Sequence, residues 1–114
     1  MMSAEKIKSM ALELFDTANI FDNSNTHVIE RYHDFFAMDE VQGILSNQEI
    51  VHSARVLFEY SLNISTASKM GYMHRNTLIY RIDKIKRTIG LDIRIFKEAL
   101  VFVNMLLIYD FFQV

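Results

Sequence analysis

The stretch that decides the fold is HRNTLIYRIDKIKR, residues 74–87. Its apolar positions recur at spacings of three and four residues, which predicts one helix with a single apolar stripe. The stripe consists of Leu78, Ile82, Ile85 and Ile89. The other side carries side chains that can hydrogen-bond to phosphate oxygens or base edges, namely Arg75, Asn76, Thr77, Arg81 and Lys84. A short helix, a turn and then a helix of this kind is the layout of a helix-turn-helix DNA reader, so double-stranded DNA is the first partner to consider.

The segments around this stretch predict a mainly α fold, a helix-turn-helix helical bundle, with the helix-turn-helix near residues 64–89. Ser65 is expected to cap a short helix over 66–70, and residues 71–73 form the turn. The long helix begins near His74 and ends at Ile89, because Gly90 occupies the usual C-terminal stop position.

Further helices are predicted over residues 3–20, with Ser3 as the N-cap, and over residues 39–45 and 50–62. The composition of residues 22–25 predicts a turn or loop. Residues 27–32 are ambiguous, because Val28, Ile29 and Tyr32 suit one short strand, but the segment could also continue into a helix.

A last helix is predicted from Ile95 or Phe96 to about Phe112, and it has almost no polar face. A helix that is apolar all round is expected to be buried on all sides. In so small a protein this favours packing against a second subunit or against the N-terminal helix.

The 114 residues suffice for one small domain, and half of them are apolar, so the chain can bury a core. The absence of cysteine excludes disulfides and thiolate metal sites. No secretory signal is visible, and the longest apolar stretch, residues 99–108, is too short to span a bilayer. We therefore expect a cytoplasmic protein with no membrane partner.

The net charge of −2 conceals an asymmetry along the chain. Residues 74–97 contain seven basic and two acidic side chains, a local charge of +5, whereas the remainder carries −7. Local charge matters most for nucleic acid, because contacts with phosphate are short-range at physiological salt. The ordinary alternative is a solvated helix face.

Nothing in the sequence predicts catalysis, a cofactor or a metal. The four histidines, His27, His33, His52 and His74, are scattered and form no ligand pair at helical spacing. There is no glycine-rich phosphate loop, no nucleophile elbow and no paired-carboxylate site. An enzyme is therefore not expected.

Three blocks of sequence carry a family resemblance: NIS at 63–65, HRNTLIYRI at 74–82 with KI at 84–85, and GLD at 90–92. With these blocks, the segment from about Leu57 to Asp92 resembles the C-terminal helix-turn-helix domain of PucR-type transcriptional regulators, which include the sugar-diacid regulators. It is similar, more distantly, to the helix-turn-helix of the Fis nucleoid protein. The resemblance implies a regulator that binds double-stranded DNA in the form of a homodimer.

The resemblance implies DNA-binding roles for His74, Arg75, Asn76, Thr77, Tyr80, Arg81 and Lys84. We expect Arg75 to contact a base, most naturally guanine, which offers two acceptors to a guanidinium. Asn76 is expected to read adenine or to shape the helix start, and Thr77 and Lys84 suit phosphate. His74 is expected to cap the helix, to touch phosphate, or both.

The sequence also departs from the family, which tends to have alanine at Ser68 and a larger apolar residue at Gly71. The glycine is expected to loosen the turn and to remove a core contact. The N-terminal half resembles the family more weakly. Residues 1–48 are predicted to be a helical or linker segment that ends an upstream module, and residues 49–114 to be the DNA-binding domain with an apolar dimerisation helix.

A rival hypothesis is a protein-interaction module without DNA binding of its own. The apolar C-terminal helix would then be the functional surface, and a truncated regulator would pair with a full-length partner. The acidic N-terminal half supports this hypothesis, because it would repel DNA if it lay on the same face.

Overall fold

The computed structural model describes residues 2–20 and 27–112, and within these residues the chain is helical, with no strand. The helices are α1 (Ala4–Phe15), α2 (Thr17–Ile20), α3 (Val28–Phe36), α4 (Asp39–Leu45), α5 (Gln48–Glu59), α6 (Ile64–Met70), α7 (Arg75–Ile89) and α8 (Phe96–Phe112). The predicted mainly α helix-turn-helix fold is confirmed.

The N-terminal helix begins as predicted and ends earlier. Ser3 caps α1, because its hydroxyl accepts a hydrogen bond from the Lys6 N–H at 3.2 Å. The helix predicted over 3–20 is broken at Asp16, whose backbone is extended and whose carboxylate accepts from the Ala18 N–H at 3.0 Å. That carboxylate starts α2 as a separate turn of helix. The turn predicted at residues 22–25 lies outside the described residues.

The short strand considered for residues 27–32 is wrong, because Val28–Phe36 is a helix. Its buried side chains, Tyr32, Phe35 and Phe36, recur at helical spacing and surround Phe15 of α1. The Phe15 ring lies 5.2 Å from the Tyr32 ring and 5.2 Å from the Phe35 ring. Aromatic packing onto α1 therefore outweighs the β propensity of the first residues of this segment.

One hydrophobic core joins the two halves of the chain, since α1 packs against both α7 and α8. The two halves approach closely at Gly90, which ends α7 with a φ of 83°. A Cβ at this position would lie 2.4 Å from the carbonyl oxygen of Ala4. Glycine is therefore required here both by the left-handed backbone and by the neighbouring helix.

The C-terminal helix α8 starts and ends where the sequence predicts, but it is not buried on all sides of the single chain. Two of its polar residues, Glu98 and Asn104, are held on the inner side. Asn104 donates a hydrogen bond to the Phe15 carbonyl at 2.9 Å. Glu98 accepts from the Asp92 N–H at 3.0 Å and pairs with Lys8 at 3.2 Å. The outer side exposes a mainly apolar surface, with the charged residues Lys97 and Asp110 near its two ends.

Candidate nucleic-acid interface

The helix-turn-helix is formed by α6, a turn over residues 71–74, and α7. The predicted cap of α6 is wrong by two residues. Asn63, and not Ser65, is the N-cap, and its side-chain oxygen accepts from the Thr66 N–H at 2.9 Å. Because the cap lies earlier, Ser65 is inside the helix and its hydroxyl is available to another partner.

The space beside Gly71, where the sequence predicts a lost core contact, is occupied by neighbouring side chains. A Cβ on Gly71 would lie 2.9 Å from the Ala67 carbonyl oxygen, 3.0 Å from Val56 and 3.1 Å from the Met73 methyl group. The Met73 sulfur also accepts a hydrogen bond from Ser53 at 3.7 Å. Met73 therefore occupies the space of the larger residue that the family tends to have at Gly71, and the turn is packed.

The inner face of α7 matches the predicted apolar stripe. Leu78, Ile82, Ile85 and Ile89 are all buried, each with at most 1% of its surface exposed. With one face fixed against α5 and α6, the orientation of the opposite face is fixed as well. That opposite face presents Asn76, Tyr80 and Lys84 in one row, four residues apart.

The candidate residues at the start of α7 lie together at the outer end of the helix-turn-helix. His74 is the N-cap residue, is exposed, and makes no side-chain cap hydrogen bond. Arg75 and Asn76 are exposed and Thr77 is half-buried. Arg75 donates a hydrogen bond to the Ser65 hydroxyl at 2.6 Å, which draws its guanidinium towards α6.

Arg81 differs from the other candidate residues because its side chain turns to α5. It donates to the Ser53 hydroxyl at 2.9 Å and pairs with Glu49 at 3.3 Å, and only 22% of its side chain is exposed. Both contacts hold α7 against α5. In this conformation Arg81 links α7 to α5 and does not belong to the row formed by Asn76, Tyr80 and Lys84.

Ion pairs at the far end of α7 neutralise part of the local positive charge. Arg94 pairs with Asp83 at 3.0 Å and with Asp92 at 2.8 Å, and Lys86 lies 3.8 Å from Asp92. Burial opposes the ionisation of Asp92, but hydrogen bonds from Arg94 and the nearby positive charges outweigh burial and lower its pKa. The positive charge that remains without an acidic partner in the described residues is carried by Arg75, Lys84, Arg87 and Lys97.

Two further residues belong to this surface and were absent from the candidates that the sequence predicts. Tyr72, in the turn, is 96% exposed and has a φ of 54°. The Arg87 guanidinium lies over the Tyr80 ring, 5.6 Å from its centre. The sequence signal for Arg87 is its spacing of seven from Tyr80, two helical turns along the same face. For Tyr72, no sequence pattern distinguishes an exposed turn aromatic from a core one.

Other classes of site receive no support from the part of the chain that the structure describes. Within residues 2–20 and 27–112 there is no group of three or more metal-ligating side chains. No helix among the same residues has the length and apolar character needed to cross a bilayer.

Helices α5, α6 and α7 pack together, and a tight turn joins α6 to α7. This unit, with a polar outer row on α7, defines a helix-turn-helix protein. The model of the PucR C-terminal helix-turn-helix domain matches residues 50–108, just over half of the chain. The chain therefore belongs to this family of regulator domains.

Two relatives from Bacillus subtilis (strain 168) are similar to part of the chain. The uncharacterized protein YxkF is 36% identical over 55 residues, which cover 48% of this chain and 18% of that protein. The purine catabolism regulatory protein is 35% identical over 48 residues, which cover 42% of this chain and 9% of that protein. The matched region thus spans less than a fifth of either relative. No solved structure matches the chain.

Proposed function

We propose that this protein is a cytoplasmic transcriptional regulator, without enzymatic activity, that binds double-stranded DNA sequence-specifically through α7. The observation that carries the proposal is the outer row of α7, in which Asn76 and Tyr80 are exposed and Lys84 is half-buried, together with the exposed Arg75 at the start of a helix whose other face is fully packed. A rigid helix with a free polar face can enter a major groove. The name of the purine catabolism regulatory protein describes a regulator, which supports the same class.

Each side chain has a role that fits its position. Arg75 reads a guanine, and its hydrogen bond to Ser65 keeps the guanidinium near the helix start while leaving further N–H groups to donate. Asn76 reads an adenine, and His74, Thr77, Tyr80 and Lys84 contact the DNA backbone or neighbouring base edges. Arg81 acts by holding α7 against α5.

We also propose that two copies bind together and read two half-sites, as is usual for helix-turn-helix proteins. The predicted division of the chain at residue 48 remains part of this proposal, and the start of the family match at residue 50 supports it. The boundary is one of sequence family rather than of packing, since α1 contacts α7 and α8.

The test is a fluorescence-anisotropy titration with random-sequence duplex DNA at low and moderate salt. We expect salt-sensitive binding by the native chain, because phosphate contacts release counterions. Lys84→Ala should weaken binding to all sequences about equally and lower the salt slope by about 1. Arg75→Ala should cost roughly 1–3 kcal/mol at one base position once a preferred site has been selected.

The matched control is Lys6→Ala. It removes an exposed lysine from α1, which is not part of the helix-turn-helix. Its DNA affinity should equal that of the native chain. If Arg75→Ala and Lys84→Ala both leave the affinity unchanged, the recognition-helix proposal is wrong.

A second candidate function is a protein-interaction module that has no DNA binding of its own. The exposed apolar side of α8 favours it, because monomeric proteins rarely expose a continuous apolar strip. The two functions differ in one result: a folded native chain that fails to bind duplex DNA at low salt supports the interaction module alone.

A further inference from the structure

The outer face of α8 is an apolar strip with the spacing of a helix–helix seam. It consists of Phe96, Leu100, Val103, Leu107 and Phe111. The exposed fractions are 74% for Phe96, 59% for Leu107 and 81% for Phe111. Successive members lie four, three, four and four residues apart, close to the alternation with which two helices pack side by side. The strip is separate from the proposed DNA-binding row on α7.

A groove beside the strip provides room for an incoming side chain. A cavity of about 440 Å³ lies between α8 and the end of α5, and Phe58, Leu62, Leu100 and Val103 are among its lining residues. A second cavity of about 230 Å³ continues along α8 past Leu107 to Asp110. A helix whose outer face presents a ridge of side chains beside an open groove can pack against a second helix.

We propose that the occupant is the α8 helix of a second copy of this chain, packed antiparallel across a two-fold axis near Val103. Large apolar side chains lie at equal distances along the helix on either side of the midpoint of the strip. About a midpoint between Val103 and Asn104, Phe96 is placed opposite Phe111, and Leu100 opposite Leu107. A two-fold interface requires this kind of self-complementarity.

Charge at the two ends of α8 favours the antiparallel direction. Lys97, which has no acidic partner among the described residues, lies exposed at the N-terminal end, and Asp110 lies exposed at the C-terminal end, 3.5 Å from Arg55 of the same copy. An antiparallel pair brings the basic end of one copy to the acidic end of the other, and the two helix dipoles also oppose each other favourably. A parallel pair would gather like charges at each end.

The area is sufficient for a specific interface. From the exposed fractions of Phe96, Leu100, Leu107 and Phe111, the strip exposes on the order of 500 Å² per copy, so its complete burial in two copies would remove about 1,000 Å² from solvent, the minimum expected of a specific interface. The rim formed by Phe58 and Leu62 adds to this area.

This inference rests on the proposed function in one respect, because the pairing would carry two α7 helices to two half-sites on one DNA. The interface itself is independent of DNA and can be tested without it. The chain contains no cysteine, so introduced cysteines report unambiguously on the arrangement.

The experiment uses disulfide trapping of the full chain and its mass in solution by light scattering over a concentration series. The native chain is expected to reach twice the mass of one chain. Val103→Cys should cross-link with itself. Leu100→Cys should cross-link with Leu107→Cys when the two variants are mixed, and neither should cross-link efficiently alone, because a disulfide requires close Cα atoms. The matched control is Met70→Cys, at a 51% exposed position on α6, which should remain uncross-linked.

Leu107→Glu should weaken association by more than about tenfold while leaving the thermal unfolding of the single chain unchanged, because its side chain is exposed. Met70→Glu is the matched control and should retain the native mass. A native chain that stays at the mass of one copy overturns the inference, and Leu100→Cys that cross-links only with itself overturns the antiparallel arrangement.

The outcome for DNA is separable. Salt-sensitive DNA binding by a chain that never pairs would refute the interface and the paired reading of two half-sites, and would keep DNA binding through α7. Paired copies without DNA affinity would keep the interface and refute the proposed function.

Discussion

Two helices of similar length, α7 and α8, have the same inner chemistry and opposite outer chemistry. Both bury a row of large apolar side chains in the shared core. The outer row of α7 is polar and cationic, whereas the outer row of α8 is apolar. A cationic row is matched to a polyanion, and an apolar row is matched to another apolar surface. The difference assigns two kinds of partner to two sides of one small domain.

The contrast also separates stability from binding. In both helices the core depends on the inner rows, so changes to the outer rows should alter recognition at little cost in folding free energy. Substitutions within α8, at the junction between α7 and α1, and in the turn before α7 test this separation.

The largest effect is expected from truncating the inner face of α8. Phe102 is fully buried, and its ring lies 6.2 Å from that of Phe58. Phe102→Ala should lower the free energy of unfolding by about 3–5 kcal/mol, because it leaves a cavity in the core. Leu107→Ala, five residues further along on the outer face, is the control and should change it by no more than about 0.5 kcal/mol. Urea unfolding followed by circular dichroism, at a concentration where the chain is not associated, measures both. Equal costs would contradict the division of α8 into a core face and a free face.

A somewhat smaller effect is expected at the junction, where Gly90 ends α7 beneath α1. Gly90→Ala should cost roughly 2–4 kcal/mol, because a left-handed backbone disfavours a side chain and the new Cβ would meet the Ala4 carbonyl. Gly43→Ala is the matched control, since its Cβ would meet nothing within 4 Å and it lies inside a helix. That control should be neutral or slightly stabilising. A Gly90→Ala variant as stable as the native chain would show that α1 can move away from the new Cβ, and that the two halves pack more loosely than the structure indicates.

Periodicity and end signals predicted the elements that carry the site. The apolar spacing of α7, the stop at Gly90 and the extent of α8 depend on local sequence, and all three are observed. The element that the sequence left ambiguous between strand and helix depends on contacts between distant residues. Helix α3 forms because its aromatic side chains pack on Phe15, which lies outside the window that suggested a strand.

The site shows the same limit. That Arg81 turns to Ser53 and Glu49 follows from the packing of α5 beside α7, and no spacing within residues 74–87 distinguishes Arg81 from its exposed neighbours. In the turn, likewise, Tyr72 is exposed while its neighbour Met73 packs beside Gly71 and accepts a hydrogen bond from Ser53. Local sequence thus defines which helix presents the site, and the tertiary packing defines which side chains on it are free.

The smallest effect on stability is expected at Tyr72, and its sign should be opposite to its effect on DNA. A non-glycine residue with a φ of 54° is strained, and this side chain is almost fully exposed, so it gains little from packing. Tyr72→Gly should therefore raise the free energy of unfolding by up to about 1 kcal/mol, the relief of strain being partly offset by the greater entropy of glycine in the unfolded chain. If the outer end of the helix-turn-helix contacts DNA, the same variant should bind duplex DNA more weakly in the anisotropy titration, because an exposed aromatic and hydrogen-bonding group is lost from the turn before α7. Tyr72→Asn is the informative comparison, since asparagine tolerates a positive φ and keeps a polar side chain. A Tyr72→Gly variant that is both less stable and unchanged in DNA affinity would assign Tyr72 to the fold and remove it from the recognition surface.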